Sequence, residues 1–237
     1  MSEQENRRDP VGEAAMIDAV LRKEKNWQDL WFYQKTVALY KLTYVFTHRF
    51  LPRYGDRTVD QMVQAARSGK QNIVEGMADG VTSMELELKL LNVARASIKE
   101  LREDYEDYLL SRSLSRWRKG HPRYDGLVEY CRAHNSIEQY EPFFTRWTDE
   151  EMANAALSLC HFVDKMMKSY EQWIEADFKE NGGIRERMTA ARLGYRNIQR
   201  ALLDQKDREI VRLNDRIRQL ERELELLRSG QPGGQGG

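Results

Sequence analysis

Cysteine, proline, net charge and long apolar runs are all scarce in this sequence, and each scarcity excludes something. Two cysteines, Cys131 and Cys160, are too few for a disulfide framework, so we expect reduced, part-buried thiols. The 38 Lys and Arg residues balance 38 Asp and Glu residues, which leaves no whole-chain attraction to nucleic acid or to an anionic membrane. Any such binding must therefore be local.

Long apolar segments are absent as well. No run approaches the roughly 18 residues that a membrane-spanning helix needs, and 32% of the residues are charged. The polar start from Met1 to Pro10 lacks the hydrophobic core of a signal peptide. We therefore predict a cytoplasmic protein that does not enter a membrane.

Five prolines, all outside the long periodic segments, leave those segments free to form helices. Apolar residues recur at three- and four-residue spacing in four stretches, as in amphipathic helices. These helices are predicted over residues 26–50, 58–80, 83–113 and 148–178. Such helices bury their apolar faces against one another, so the sequence predicts an all-α fold, with an antiparallel four-helix bundle within residues 26–180.

Single residues indicate where the helices start and how closely they pack. The expected N-caps are Thr58, Thr82 or Ser83, and Thr148, which is followed by acidic residues. The second helix also carries a stripe of small residues, which allows a neighbouring helix to approach closely. This stripe consists of Met62, Ala66, Gly69, Ile73 and Gly76.

Two other segments belong to this part of the chain. About 34 residues, 114–147, connect the third and fourth helices, where a simple bundle uses a loop of roughly 2–8. We expect this connection to be partly ordered, with a short helix over residues 128–134 and an aromatic lid on the bundle. The lid residues are Tyr140, Phe143, Phe144 and Trp147. Residues 1–25 are predicted to form a polar N-terminal segment.

Asn181-Gly182-Gly183 is a strong break, and one long helix is predicted beyond it, over residues 184–228. Its final half contains three consecutive a/d pairs, namely Ile210, Leu213, Ile217, Leu220, Leu224 and Leu227. This pattern favours a short parallel two-stranded coiled coil, because isoleucine occupies two a positions, leucine occupies every d position, and the g and e positions carry opposite charges. The alternative is a solvated helix that folds back on its own bundle. Residues 229–237 are predicted to be a disordered Gly/Gln tail.

Catalytic and metal-binding motifs are scarce too. The chain has no P-loop, no H-E-x-x-H, and in the bundle helices no Glu-x-x-His pair of the kind that holds a di-iron centre. We therefore expect no cofactor, no metal and no enzymatic activity. A polar stripe on the second helix, Ser68, Asn72, Glu75 and Asp79, is either a shared polar site or a set of hydrogen-bonding groups that fix helix register.

The most suggestive local cluster lies between residues 111 and 124 and contains cations and rings but no acid. Cations that neutralise phosphates, beside rings that stack on bases, are what single-stranded nucleic acid binding requires. The candidate nucleic-acid-binding residues are Arg112, Arg116, Trp117, Arg118, Lys119, Arg123 and Tyr124, with His121 as a further ring. The alternative is a solvated helix end, where the helix dipole favours Lys and Arg.

Three short motifs resemble a known family. Residues 68–76 resemble the Ser-x-x-x-Asn-Ile-Ala-Glu-Gly signature of the bacterial four-helix bundle family, also called the 23S ribosomal RNA intervening-sequence protein family. Residues 91–101 resemble its Ala-Arg-Gly-Ser-x-x-Glu-Leu segment, and residues 29–35 resemble its opening. The matching residues are Ser68, Asn72, Glu75, Gly76, Arg95, Ser97 and Glu100. Gly69-Lys70 and Val74 depart from the family pattern, which has Ile-Pro and Ala there.

The resemblance covers residues 27–108 and implies an antiparallel four-helix bundle that forms ring-like homo-oligomers, pentamers in characterised relatives. The long connection and the terminal helix are similar to the extended "four helix bundle suffix" members. Related accessory variability determinants, from diversity-generating retroelements, bind a reverse transcriptase and nucleic acid through a basic surface. The implied pentamer conflicts with the dimer that the coiled-coil pattern favours, so the subunit number stays open.

Together these observations predict a non-catalytic, homo-oligomeric helical-bundle scaffold or adaptor. Its expected ligand is RNA or single-stranded DNA, bound through the basic and aromatic residues between 111 and 124. The alternative is a protein–protein interaction module that acts through the C-terminal coiled coil without nucleic acid.

Overall fold

The computed structural model describes residues 26–52 and 57–229, and within these ranges all regular structure is helical. The prediction of an all-α fold is therefore confirmed. The six α-helices are α1 Trp31–Phe50, α2 Thr58–Asp79, α3 Met84–Ser111, α4 Tyr124–Ala133, α5 Asp149–Asn181 and α6 Ile184–Ser229. Short 3-10 helices cover Trp27–Asp29, Ile137–Gln139 and Glu141–Phe143. The predicted segment 1–25 and residues 230–237 of the predicted tail lie outside the described residues.

The chain divides into two compact units, Met1–Arg185 and Glu186–Gly237. The predicted break lies just before this boundary, because α5 ends at Asn181 and Gly182 follows with φ of 69°. This left-handed conformation is one that glycine adopts without the clash that a Cβ atom would cause. The Gly-Gly pair therefore terminates α5 as the sequence indicated.

Side-chain caps start two of the core helices as expected. The Thr148 hydroxyl accepts a hydrogen bond from the Glu151 N–H, and the Glu151 carboxylate accepts one from the Thr148 N–H. The Ser83 hydroxyl accepts from the Leu86 N–H at 3.2 Å. The cap predicted at Thr58 is wrong, because Thr58 is already the first helical residue and the N-cap position is Arg57, which makes no side-chain cap hydrogen bond.

Four helices form one hydrophobic core in the first unit. Helix α1 packs against α2 and α5, and α3 also packs against α2 and α5, so each of the four contacts two others. The shorter α4 packs against α5. Aromatic and aliphatic side chains fill the centre, where Phe46 lies edge-on to Tyr105 at 5.0 Å and Tyr105 donates a hydrogen bond to Thr43 at 2.9 Å.

Small residues bring α2 and α3 close together. All five residues of the predicted stripe, Met62, Ala66, Gly69, Ile73 and Gly76, are buried. A Cβ atom at Gly69 would lie 2.7 Å from Ile98 Cδ1, and one at Gly76 would lie 3.2 Å from Leu90 Cβ. A Cβ atom at Gly69 would require the Ile98 side chain to move, and one at Gly76 would be tighter than most real Cβ contacts, so the interface has little space at either glycine.

The residues that match the family motifs include several packing contacts. Ser97 on α3 donates to Ser68 on α2 at 3.0 Å, whereas the Asn72 amide bonds to Ser68 of its own helix. The Asn72 amide group therefore bonds within α2, and the two serines make a hydrogen bond between α2 and α3. Glu75 and Glu100 are exposed.

Arg95 makes the main polar connection between α3 and α5. Its guanidinium contacts Asp164 at 2.8 Å and Glu171 at 2.6 Å. Burial raises the pKa of Glu171, and Arg95 opposes that rise by favouring the charged carboxylate. Because removal of one partner would leave the other charge poorly solvated, this triad fixes where α3 meets α5.

The closeness of α2 and α3 predicts that Gly76→Leu lowers the free energy of unfolding by about 1–3 kcal/mol, since the new side chain overpacks the interface. The matched control is Gly126→Leu on α4, where a Cβ atom meets nothing within 4 Å. For Gly126→Leu we expect the free energy of unfolding to rise by up to about 1 kcal/mol, because leucine has a higher helix propensity than glycine. Urea unfolding followed by circular dichroism measures both, and equal stabilisation of the two variants would contradict the packing argument.

Candidate nucleic-acid interface

The connection between α3 and α5 is ordered and lies against α5. Tyr140 and Phe144 are buried in the hydrophobic core, and Trp147 packs half-buried against it. Phe143 stacks on Trp147 with ring centroids 4.8 Å apart. The predicted aromatic lid is therefore present, and the predicted short helix is the longer α4.

A buried lysine holds the end of α4. Lys35 on α1 is only 1% exposed, and its ammonium donates to the backbone carbonyls of Cys131, Arg132 and His134. Carbonyls at a helix C-terminus lack helical partners and carry partial negative charge, which suits a cation. Burial nevertheless lowers the pKa of Lys35 to about 8. The amine lies 5.6 Å from the centroid of the Phe162 ring on α5.

Trp117 anchors the connection instead of presenting a stacking surface. It is only 7% exposed, its backbone N–H donates to Asn154 at 2.7 Å and its indole N–H donates to Glu150 at 2.7 Å. His121 stacks on its ring at 4.7 Å. The base-stacking role predicted for Trp117 is therefore a mistake, because the ring faces of Trp117 are covered within the protein.

Acids from neighbouring helices reach several of the predicted cations. Arg116 pairs with Glu106 on α3, and Arg123 pairs with Glu151 on α5, each at 2.5 Å. Arg112 instead lies over the Tyr108 ring, with its guanidinium 4.5 Å from the ring centroid. The sequence window contains no acid, yet the fold supplies two, so part of its positive charge is neutralised.

The remaining predicted cations line a cleft of about 680 Å³ between the connection, α4 and α5, which we call the basic cleft. Its lining includes six cationic residues, Arg102, Arg116, Arg118, Lys119, Arg132 and Lys165, and two acidic residues, Asp125 and Glu129. Tyr124 and His161 also line it. Arg118, Lys119 and Lys165 are exposed and form no ion pair within the part of the chain that the structure describes.

The sequence window missed half of the cations in the basic cleft. Arg102, Arg132 and Lys165 come from three different helices, α3, α4 and α5. No local pattern marks them, because single exposed cations on amphipathic helices are ordinary. Only the packing of α4 on α5 brings them to the same opening as Arg118 and Lys119.

A second opening adjoins the basic cleft. This apolar cleft, of about 650 Å³, shares Arg132, Phe162 and Lys165 with the basic cleft. Its other lining residues come from α5, from the first turns of α1 and from the two residues just before α1, namely Asp29, Leu30, Trp31, Phe32, Lys35, Met166, Ser169 and Tyr170. Trp31 is 66% exposed, which is unusual for so large an aromatic residue.

The two thiols lie away from solvent. Cys131 and Cys160 are free and buried. Burial raises the pKa of Cys131 to about 12 and the pKa of Cys160 well above its usual range. Because the thiolate is the reactive form, neither group is an activated nucleophile. Within residues 26–52 and 57–229, no group of three or more His, Cys, Asp and Glu residues is placed to hold a metal ion.

No protein-family model, curated protein or solved structure matches this chain. The resemblance to the bacterial four-helix bundle family, which rests on the three motifs between residues 29 and 101, therefore stays a prediction. None of the helices in the described ranges is both long and apolar enough to cross a membrane.

The burial of the thiols predicts a measurable pH dependence. Between the usual Cys131 pKa of 9.0 and its folded value of about 12, the unfolded chain releases a proton that the folded chain keeps, so folding stability falls as pH rises through this window. We expect the free energy of unfolding, measured with urea, to fall less between pH 8 and pH 10 in Cys131→Ala than in the unaltered protein. A thiol reagent at pH 7.5 should label neither cysteine before denaturant is added, and prompt labelling of the native protein would contradict this account.

Proposed function

We propose that this chain is a non-catalytic scaffold that binds single-stranded RNA or DNA in the basic cleft. The observation that carries the proposal is the convergence of cations from three helices and the connection on one opening, with Arg118, Lys119 and Lys165 unpaired within the described residues. Cations in a groove bind a phosphate backbone mainly by releasing its counterions, which needs no sequence recognition. A chain with zero net charge can bind in this way because the positive field is local.

The fold supports the wider prediction from which this proposal came. The circuit of contacts among α1, α2, α3 and α5 is the pattern that an antiparallel four-helix bundle would make. The Ser68–Ser97 hydrogen bond and the Arg95 triad give three of the motif residues packing roles in that arrangement. These contacts favour membership of the bacterial four-helix bundle family and a structural role for its motifs.

Self-association would strengthen weak binding at one cleft. The six a/d residues of α6, Ile210, Leu213, Ile217, Leu220, Leu224 and Leu227, are between 43% and 73% exposed in the single chain. Exposure of a continuous apolar stripe to water costs free energy, and a second helix that covers the stripe removes that cost. Joined copies would present several basic cleft surfaces to one strand, which raises the overall affinity without any new contact.

The second candidate function is a protein-interaction module that uses α6 alone. The observation in its favour is the same exposed stripe, and the heptad register puts the oppositely charged Arg216 and Glu221 at g and e positions, which would face each other in a parallel pair. In this case the basic cleft would be an ordinary solvated surface. Nucleic-acid titration separates the two candidates, because only the first predicts binding in the basic cleft, whereas mass measurement tests the assembly through α6 that both candidates use.

Titration of a labelled single-stranded RNA at several salt concentrations tests the first candidate. We expect binding that weakens with salt, and Arg118→Ala, Lys119→Ala and Lys165→Ala should each reduce the log–log slope by about 0.7. Lys168→Ala is the matched control, because Lys168 is an exposed lysine of α5 that does not line the cleft. Absent or salt-independent binding by the unaltered protein would remove the nucleic-acid function.

The mass of the protein in solution tests the role of α6. The full chain should run as a homo-oligomer, and the double variant Leu213→Asp with Leu220→Asp should fall to a lower mass, because charges on the seam oppose helix pairing. Val211→Asp is the control, since Val211 is exposed but lies off the a/d stripe. An unchanged mass for the double variant would mean that α6 does not drive assembly. A pentameric mass that persists would then favour the ring that the family resemblance implies.

A further inference from the structure

The basic cleft offers phosphates a favourable field but offers bases little. Trp117 is buried, and its ring is covered by His121. Tyr124 and His161 also line the cleft, but both are single rings set among cations, and Phe162 lies where the basic cleft meets the apolar cleft. Binding of a single strand usually combines a cationic track with rings on which the bases stack, because bases leave water readily when they find an apolar face. A strand held here would therefore need such a face close by.

The apolar cleft provides such an apolar face next to the basic cleft. Arg132 and Lys165 line both clefts, so the same two cations stand at the mouth of the apolar cleft and in the basic cleft. Phe162 also belongs to both, and one approach to its ring is taken by the Lys35 amine. A chain of phosphates that reaches Arg132 and Lys165 consequently places its next base beside the opening.

The lining of the apolar cleft fits a planar aromatic group. Trp31 stands at its edge largely exposed, and Phe162, Met166 and Tyr170 contribute apolar surface. The volume of about 650 Å³ lies within the roughly 300–1,000 Å³ typical of small-molecule sites and exceeds what one base requires. A duplex could not use this space, because its bases remain paired and stacked.

We infer that the apolar cleft beside Trp31 is a base-binding subsite, which receives an unpaired base of the strand whose phosphates lie in the basic cleft. The inference rests on the proposed function and adds a second recognition element to it. The basic cleft supplies affinity that depends on salt, and the apolar cleft supplies affinity that depends on the presence of bases.

The test compares two oligomers of equal length and equal phosphate number, a 12-nucleotide oligouridine and its abasic counterpart. Trp31→Ala should weaken binding of oligouridine by about 5- to 150-fold, the range found when a stacking ring is removed, and should leave binding of the abasic oligomer and the salt slope unchanged. Trp31→Phe should keep most of the affinity, since a ring remains. Phe178→Ala is the matched control, because Phe178 is an exposed aromatic residue on α5 that lines neither cleft.

The outcomes separate the two levels of the proposal. If oligouridine binds with salt dependence and Trp31→Ala has no effect, the subsite is wrong, the basic cleft stands, and another occupant belongs beside Trp31. If Trp31→Ala weakens both oligomers equally, Trp31 does not act through a base, and the inference is also overturned. If neither oligomer binds the unaltered protein, the proposed function fails and the subsite fails with it. Far-UV circular dichroism of Trp31→Ala, which changes an exposed residue, checks that the variant is folded.

Discussion

The buried ammonium of Lys35 is the interaction on which both clefts depend. It extends from α1, passes close to Phe162 on α5 and binds the carbonyls at the end of α4. Three elements that are distant in sequence are thereby held at one point, and Arg132, which lines both openings, lies at that helix end. The cost of burying the amine is offset by its hydrogen bonds to three backbone carbonyls. The surface chemistry outside is arranged by this internal contact.

Much of the fold follows from patterns that are local in sequence. Apolar residues at three- and four-residue spacing predicted the core helices, because an α-helix repeats every 3.6 residues. Ser83 and Thr148 predicted where two of these helices begin, because their hydroxyls accept hydrogen bonds from backbone N–H groups that have no partner within the helix. Thr58 misled, since the chain began its helical turn at that residue, with Arg57 in the N-cap position. Cap preferences describe which side chains suit the N-cap position, but the backbone geometry decides which residue occupies that position.

The candidate site was only partly visible in the sequence. Arg118 and Lys119 were found because they are neighbours in a window without acid. Glu106 and Glu151, which pair with Arg116 and Arg123, lie on other helices, so the window could not reveal them. The burial of Trp117 was equally hidden, because it depends on Asn154 and Glu150 of α5. The charges in one stretch of sequence thus overestimate the net positive charge of the surface patch whenever packing brings acidic residues from other helices beside it.

The two enclosed sulfur atoms have a consequence for chemical ageing. Peroxide oxidises thiolates, and both Cys131 and Cys160 stay protonated and out of contact with water in the folded chain. Sulfenic and sulfinic acids should therefore accumulate on molecules that have opened, and the polar oxygens would then oppose their return to an apolar interior. Oxidation would therefore be selective, because it would prevent unfolded molecules from refolding and leave folded molecules unmodified.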